Sequence, residues 1–382
     1  MTVEKFGGAV LKTPEGFDAM AAIVGSLQPE RCLVVVSAIG STTRDLAAAA
    51  EKASIGSGGE ADTILSAVER RHLELAHAVT SDQVQGRELA HRLSEVMNSV
   101  RRLCRSVEVT RQCSARTLDR IIAAGEDMSR SLAAARLQAS GADVYEVDAR
   151  SLIVTDDAFG MARPNSELTR QRIRLALIKD HMVTVTQGFV ASTVSGATTT
   201  MGRESSNLSA TLLASCMDAT SVTIWTDVPG VQTADPSICP AARGVDHLSY
   251  EQARVAATYG LKLLYPTMIE PAQHAGIAMR IASANAPSCS GTRIDGTGGR
   301  APVMIVSSES GSTTTVTMLF VTLAMALKAI GAAVSFVETA SRHVVFDVVT
   351  HMHDKVASLV VPTELAPAII TILHSELCET EQ

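Results

Sequence analysis

The chain has 382 residues with a formal net charge of −7, and 46% of the residues are hydrophobic. This length predicts two or three domains with a substantial core, and the acidic balance without a long basic run argues against nucleic-acid binding. The seven cysteines are scattered without a CxxC spacing, which argues against disulfides and structural zinc, predicts no metal site and fits a reducing cytoplasm.

The first forty residues predict a strand, a helix and a second strand. VEKF is a short β run before Gly-Gly, and Thr13 is placed to cap a helix that has Pro14 at its first position. CLVVVSAI is a continuous apolar run, typical of a strand buried on both faces of a parallel sheet. The N-terminus lacks a signal segment, so a cytoplasmic location is expected.

Residues 61–141 carry apolar side chains at helical spacing, and strand–helix alternation returns after them. The predicted strands are DVYEVDA, MVTVTQGF, SVTIWTDV and IAMRIAS, and YEQARVAATYG is a predicted helix. Such alternation predicts a parallel or mixed sheet with helices on both faces.

Residues 285–302 are rich in Gly, Pro and Ser and predict a linker. Beyond them, VMIVSS predicts a strand, TTVTMLFVTLAMALKAIG a helix, AVSFVET and RHVVFDVV a hairpin, VASLVVP a strand and TELAPAIITILHSEL a helix. This βαββα order is close to a small ferredoxin-like domain. The apolar run at residues 317–334 contains Lys328 and is interpreted as a helix of a soluble core, so no membrane partner is predicted.

Two polar turns follow the first two predicted strands. Lys5 with Gly7 and Gly8 could hold a phosphate, because glycines admit close approach of backbone N–H groups and lysine adds a charge. The commoner explanation of that pattern is a tight turn, and it matches neither a P-loop nor GxGxxG. SAIGSTT, residues 37–43, lies where open α/β sheets bind ligands, or is an ordinary capped loop.

Further candidates are weak when taken singly. Glu126 on a helix is typically a solvated residue, although the small Ala-Ala-Gly before it could line a pocket. Asp227 and Asp235 fit Pro-containing turns, and Lys262 fits a solvated position before a turn. None of these residues specifies a chemistry alone.

Their order and spacing together resemble those of the aspartate kinases, members of the amino-acid kinase superfamily. The resemblance covers residues 2–295 and rests on VEKFGG, VVVSAIGSTTRDL, AAGEDMS, TQGFVASTVSGATTTMGR, IWTDVPGVQTADP, LSYEQARVAATYGLKLLYP and GTRI. It implies a three-layer αβα catalytic domain over residues 1–295. It also implies a shortened ACT-type α+β regulatory or dimerisation domain over residues 296–382, and the sheet edge of such a domain favours a homodimer.

The resemblance implies ATP-dependent phosphorylation of the side-chain carboxylate of L-aspartate to 4-phospho-L-aspartate, with ATP and Mg²⁺. The implied catalytic residues are Lys5, Gly8 and Lys262. The implied substrate-binding residues are Ser37, Thr43, Glu126, Arg203, Ser206 and Asn207. The implied ATP-binding residues are Lys5, Gly7, Gly8, Thr226, Asp227, Gln232 and Lys262.

Several residues depart from the pattern of the family. Ala9 and Val10 replace two hydroxyl residues, Glu204 and Ser205 replace two glycines, and Asn207 replaces an acidic residue. An amide at this position loses the charge that would pair with an ammonium group. Two alternatives therefore stay open: a kinase for another amino acid or an aspartate analogue, and a non-catalytic homologue. A dedicated pathway would also fit.

Overall fold

The computed structural model describes residues 1–27, 30–80, 82–176, 181–299, 301–339, 347–351 and 355–379. The chain divides into two compact units. The first comprises Met1–Val228 and Ile277–Cys289, and the second Pro229–Gly276 and Ser290–Gln382. The domain boundary expected at residue 295 stays a prediction.

Strands and helices alternate along parts of the chain, whereas several helices follow one another between the second and third strands. In chain order the strands are β1 Thr2–Phe6, β2 Cys32–Val36, β3 Val144–Glu146, β4 Val154–Thr155, β5 Val183–Gln187, β6 Val190–Thr193, β7 Thr198–Thr200, β8 Ser221–Thr226, β9 His247–Ser249, β10 Ala278–Ser283, β11 Thr292–Asp295, β12 Met304–Ser310, β13 Thr313–Leu319, β14 Asp347–His351 and β15 Val356–Pro362. The helices are α1 Pro14–Ser26, α2 Thr42–Ser54, α3 Gly58–Val79, α4 Gln83–Thr110, α5 Ala115–Ile122, α6 Ala124–Ala139, α7 Ser166–Leu175, α8 Ser205–Met217, α9 Tyr250–Thr258, α10 Pro266–Ala275, α11 Leu323–Thr339 and α12 Ala366–His374.

The first unit is built on parallel strands in the order β3-β5-β2-β1-β8-β10. Every residue of β1, β2 and β5 is buried, and β2 is the continuous apolar run expected of a strand that is covered on both faces. The chain runs from β1 to β2 on one side and later returns to β8 on the other. Open parallel sheets bind ligands at the carboxyl ends of strands at such a reversal of order.

Helices supply the packing partners of this sheet, as predicted. The Thr13 side chain accepts a hydrogen bond from the Gly16 N–H and caps α1, and Pro14 occupies its first position. Helices α2, α3, α4 and α6 contribute to one large apolar cluster with β1, β2 and β5. No helix in the described ranges is long and apolar enough to cross a membrane. A second, small sheet with the order β4-β6-β7 leads the chain into α8.

The second unit contains an antiparallel sheet, β12-β13-β15-β14, whose buried face shares an apolar cluster with α11 and α12. A separate parallel pair, β9 and β11, also belongs to this unit. Strand β11 lies inside the segment predicted as a linker, so that prediction was wrong for Thr292–Asp295.

The order of elements after residue 303 also differs from the predicted βαββα. Thr313–Leu319 is a strand, and the predicted strand AVSFVET lies within helix α11, so the order is ββαββα. The run Thr-Thr-Thr-Val-Thr favours a strand, whereas the Ala, Leu and Met residues that follow favour a helix. Residues 342–346 of the predicted second hairpin strand lie outside the described residues.

Candidate active site

The predicted substrate residues of the first unit gather at the carboxyl edge of its parallel sheet. Lys5 is near the end of β1, and Ser37 directly follows β2. Helices α6 and α8 each run back to the amino end of the next strand, so both helices begin at this same edge. Their first turns contain Glu126 and the residues Ser206 and Asn207.

Lys5 is a buried lysine, with 6% of its surface exposed. Burial lowers its pKa to about 8, and the carboxylates of Glu204 and Glu126 oppose this shift. A lysine held out of water beside acidic groups is a strong local source of positive charge when protonated. This environment suits binding of a phosphoryl group or another anion.

Gly7 and Gly8 form a turn that is packed against the loop after β2. The Gly7 N–H donates to the Trp225 carbonyl at 3.0 Å, and the Gly40 N–H donates to the Gly8 carbonyl at 3.0 Å. A Cβ atom on Gly8 would lie 2.1 Å from the Ala38 carbonyl oxygen, so a larger residue would push the two loops apart. The glycine signal in the sequence therefore has a packing basis.

Glu126 is a buried carboxylate with 3% of its surface exposed. Burial raises its pKa to about 8, while hydrogen bonds from the Ala38 N–H and from Thr43 oppose the rise. The Thr43 hydroxyl lies 3.5 Å from Oε1, and Oε2 has no partner among the described residues. The site thus contains an acceptor oxygen that a bound cationic group could satisfy.

The turn into α8 contains the residues that depart from the family pattern. Glu204 is exposed and adopts a left-handed conformation with φ +59°, as a non-glycine residue seldom does. Ser205 and Asn207 are buried, and within the described ranges the Ser205 hydroxyl and the Asn207 Oδ1 have no hydrogen-bond partner. Arg203 is exposed at the same turn.

Ser206 is buried against the end of β5, where a Cβ atom on Gly188 would meet its side chain at 2.7 Å. The next residue, Phe189, has φ +65°, and its N–H donates to the Ser209 hydroxyl at 2.9 Å. In the sequence, Gly188 and Phe189 belong to the motif TQGFVASTVSGATTTMGR, which indicates no separate role for either residue. The close contact shows why glycine is needed there.

The remaining predicted nucleotide residues lie in two places. Thr226 ends β8, and its hydroxyl lies 3.2 Å from the carboxylate of the exposed Asp227. Gln232 and Lys262 belong to the second unit: Gln232 is half-buried and bridges to Gly244, and Lys262 is exposed in the turn between α9 and α10.

A partly buried charge cluster beside Glu126 was missed in the sequence. The Gln187 side chain donates to Asp127 and Asp148, each at 2.9 Å, and Arg150 binds both oxygens of Asp127, at 2.8 and 2.9 Å. The only available signal was the Asp-Ala-Arg run after β3. Asp127 and Gln187, the partners of this run, are 23 and 39 residues away from it, so spacing could not identify them.

Asp119 is a second residue that no sequence pattern identified. It is 1% exposed on α5, and it accepts hydrogen bonds from the Thr200 N–H, the Thr200 hydroxyl and the Gly160 N–H, at 2.7 to 3.0 Å. These contacts hold the strand that leads into the Arg203 turn.

A sequence model of the amino acid kinase family matches residues 1–283. The chain belongs to the amino acid kinase family. Its curated relatives include the aspartokinase of Chlamydia pneumoniae, 33% identical over 76% of this chain and 62% of that protein. The lysine-sensitive aspartokinase 3 of Escherichia coli is 30% identical over 77% of this chain and 64% of that protein. The chain therefore spans less than two thirds of these relatives.

Solved structures support the same fold. The E. coli aspartokinase III in complex with aspartate and ADP superposes on this amino acid kinase with a TM-score of 0.84 and 23% identity, covering 99% of both chains. The aspartate kinase of Clostridium acetobutylicum gives a TM-score of 0.74 at 16% identity. The predicted α/β amino-acid kinase fold, with a small C-terminal α+β region, is confirmed.

Proposed function

We propose that this amino acid kinase transfers the γ-phosphoryl group of MgATP to the side-chain carboxylate of L-aspartate. A carboxylate oxygen attacks the γ-phosphorus, the bond to the β,γ-bridging oxygen breaks, and ADP leaves with that electron pair. Because the acceptor is already ionised at neutral pH, no general base is needed. Catalysis then rests on positioning and on charge stabilisation.

The observation that carries the proposal is the pairing of buried Lys5 with buried Glu126 at one sheet edge. We assign Lys5 and Gly8 to the transferring phosphoryl group, since a lysine and backbone N–H groups stabilise its charge. We assign the free oxygen of Glu126 to the substrate ammonium group, with Thr43 and Ser37 beside it.

Arg203 is assigned to the α-carboxylate of the acceptor, because a guanidinium group can bind a carboxylate through two hydrogen bonds. Ser206 and Asn207 complete the acceptor site in this proposal. Gly7, Thr226, Asp227, Gln232 and Lys262 are assigned to the nucleotide, residue by residue, from the motifs that contain them.

Magnesium is proposed as part of the nucleotide substrate. The described residues contain no group of three or more His, Cys, Asp or Glu side chains placed to hold a metal ion. Magnesium bound to nucleotide phosphates keeps several waters and needs only one or two protein carboxylates. The donor set therefore fits MgATP better than a resident ion, and the exposed Asp227 is a carboxylate that could reach it.

A second candidate function is supported by the turn into α8. Asn207 is a buried amide with an unpartnered Oδ1, and Glu204 adds a negative charge where the family pattern has glycine. These features would suit an aspartate analogue or another amino acid whose amino group is altered. The reaction would be the same.

The test is ATP-dependent formation of an acyl hydroxamate with hydroxylamine, comparing L-aspartate with a panel of amino-acid carboxylates. Lys5→Met should lower the signal by roughly 10²–10³-fold, whereas Lys12→Met, at an exposed position of the same loop, should retain it. Signal with another acid alone would replace aspartate by that acid. Absence of hydroxamate and of ADP release with every acceptor would contradict a kinase.

A further inference from the structure

Four charged side chains and one amide form a cluster that begins next to Glu126. We call Asp127, Asp148, Arg130, Arg150 and Gln187 the Arg150 cluster. Arg150 binds Asp127 through two hydrogen bonds and also contacts Asp148 at 2.9 Å. Gln187 is fully buried and accepts from Arg130 at 3.0 Å while it donates to both aspartates. The four charged members are partly exposed, and Gln187 links both aspartates from the buried side of the cluster.

The cluster joins segments that are distant in the sequence. Asp127 follows Glu126 in the first turn of α6, and Gln187 ends β5 directly before the glycine that packs against Ser206. The Arg150 Nε also donates to the Thr198 hydroxyl at 3.0 Å, at the start of the strand that leads to Arg203. The cluster therefore joins the helix turn that contains Glu126, the end of β5 that packs against Ser206, and the start of the strand that leads to Arg203.

Arg150 also controls the charge next to Glu126. The Asp127 carboxylate is only 20% exposed and would act on the neighbouring carboxylate of Glu126 if it were unpaired. A guanidinium group bound to both oxygens neutralises Asp127 and fixes its direction. Lysine could supply the charge but not the two parallel hydrogen bonds that a planar guanidinium group makes to one carboxylate.

We propose that Arg150 is a positioning residue, which with Asp127 and Gln187 fixes Glu126 relative to the turn that contains Arg203, Ser206 and Asn207. Arg150 touches no reacting atom in this proposal and acts on the acceptor through Glu126. The expected effect of Arg150 on kinetics rests on the proposed function. Its effect on the position of Glu126 does not depend on that function.

The kinetic test compares Arg150→Met, Arg150→Lys and the double variant Arg150→Met/Asp127→Asn in the hydroxamate assay. Arg150→Met should raise the KM of the acceptor at least tenfold and leave the KM of ATP within about twofold, because the unpaired aspartate opposes ionisation of Glu126. The double variant also removes the charge of Asp127, so it should recover at least half of the increase in log KM for the acceptor. Arg150→Lys should be intermediate.

Arg170→Met is the matched control. Arg170 is a partly buried arginine that donates to the Ser215 and Cys216 carbonyls and to Asp218, at the opposite end of α8. Its loss removes three hydrogen bonds, compared with five for Arg150, without altering the charge near Glu126. The KM of the acceptor should then stay within twofold of the wild-type value.

Hydrogen exchange gives a readout that needs no substrate. In Arg150→Met, amide exchange should rise at residues 124–128, 187–190 and 198–207 together, since Arg150 binds Asp127 and Thr198 directly and Gln187 binds the same Asp127. In Arg170→Met the rise should be confined to α7 and the end of α8. An exchange change limited to residues 148–152, or no recovery in the double variant of an active enzyme, would overturn the inference.

The two proposals can fail separately. A wild-type protein that phosphorylates no acceptor would contradict the proposed function, while the exchange pattern would still decide the role of Arg150. An active enzyme whose Arg150→Met variant raises the KM of ATP and of the acceptor equally would contradict the positioning role alone.

Discussion

Lys5 and Glu126 have pKa values displaced toward one another by burial, each to about 8. In the proposed reaction Lys5 must be protonated and Glu126 ionised, so kcat/KM should rise toward pH 8 as Glu126 loses its proton and fall above it as Lys5 does. The expected profile is a narrow bell centred near pH 8. Because Lys5 and Glu126 interact, the acid and alkaline limbs of the profile report the titration of the pair and not of either residue alone.

The measurement is kcat/KM for aspartate between pH 6 and 10 with a coupled ADP assay. Glu126→Gln should lower activity and remove the acid limb. Glu69→Gln is the control, because Glu69 is a partly buried glutamate that pairs with Arg101 on α4, and its profile should match the wild type. A constant kcat/KM from pH 6 to 8 in the wild type would contradict this assignment.

Asn207 is the residue that best tests acceptor identity. Asn207→Asp should strengthen binding of an acceptor with an ammonium group, because a charged hydrogen bond contributes about 1.5–3 kcal/mol. The KM for aspartate should fall roughly tenfold or more at pH 8. Asn165→Asp makes the same chemical change at the cap of α7, where aspartate also caps, and should have no effect. A raised KM would favour an acceptor without a free ammonium group.

Among individual residues, the sequence identified those near glycines and strand ends. It did not identify residues that are held by hydrogen-bond partners distant in the sequence. Lys5, Gly8 and Glu126 were selected from local motifs, and the structure brings them to one edge of the sheet. Arg150 and Asp119 gave no local signal because the groups that they bind are up to 81 residues away. Sequence spacing reports neighbours along the chain, whereas charge pairing depends on the folded topology.

The contact between the turn after β1 and the loop after β2 sets how these elements meet. Gly8→Ala would bring a Cβ atom within 2.1 Å of the Ala38 carbonyl oxygen, so the loops must separate. We expect stability to fall by about 1–3 kcal/mol, as for other overpacked sites, and activity to fall at least tenfold. Urea unfolding and the hydroxamate assay would measure both.

Gly25→Ala is the control for this prediction. A Cβ atom on Gly25, near the end of α1, would meet nothing within 4 Å. Alanine should therefore stabilise the helix by about 0.5–1 kcal/mol and leave activity unchanged. Equal stabilities for the two alanine variants would show that the Gly8 turn tolerates a side chain.

Helix α5 is tied to β7 by Asp119, which accepts three hydrogen bonds from Thr200 and Gly160. Asp119→Asn should lower the free energy of unfolding by about 2–3 kcal/mol, since a buried charged acceptor is lost. Asp18→Asn breaks the surface pair with Arg136 and should change it by about 0.2–1 kcal/mol. Urea unfolding of both variants would measure this difference. If Asp119→Asn lowered the free energy of unfolding as little as Asp18→Asn does, Asp119 would not be a structural anchor.

Element order was predictable where composition and periodicity agree. The parallel strands and long helices of the first unit followed their patterns, because buried strands and amphipathic helices differ clearly. Residues 313–339 were misassigned because one apolar run supplies both a strand and a helix. The Thr-rich run of β13 competes there with the helix-forming residues that follow it, and only pairing with β12 and β15 decides between them.

For the whole molecule, the resemblance predicted a homodimer formed through the C-terminal region. In the described part of the second unit, β12 and β14 each pair with one neighbouring strand, which leaves two sheet edges. Helix α11 also presents Leu323 and Leu327, 46% and 59% exposed, opposite its buried alanines. Unpaired edges and adjacent apolar side chains favour association between identical chains.

We expect light scattering at micromolar concentration to give twice the chain mass of 40.2 kDa. Leu327→Glu should shift the protein toward the monomer, because association would then bury a charge without a partner. Val109→Glu, at an 83% exposed position on α4 of the first unit, should leave the mass unchanged. A wild-type monomer would contradict the dimer, and a dimer that persists in Leu327→Glu would exclude α11 from its interface.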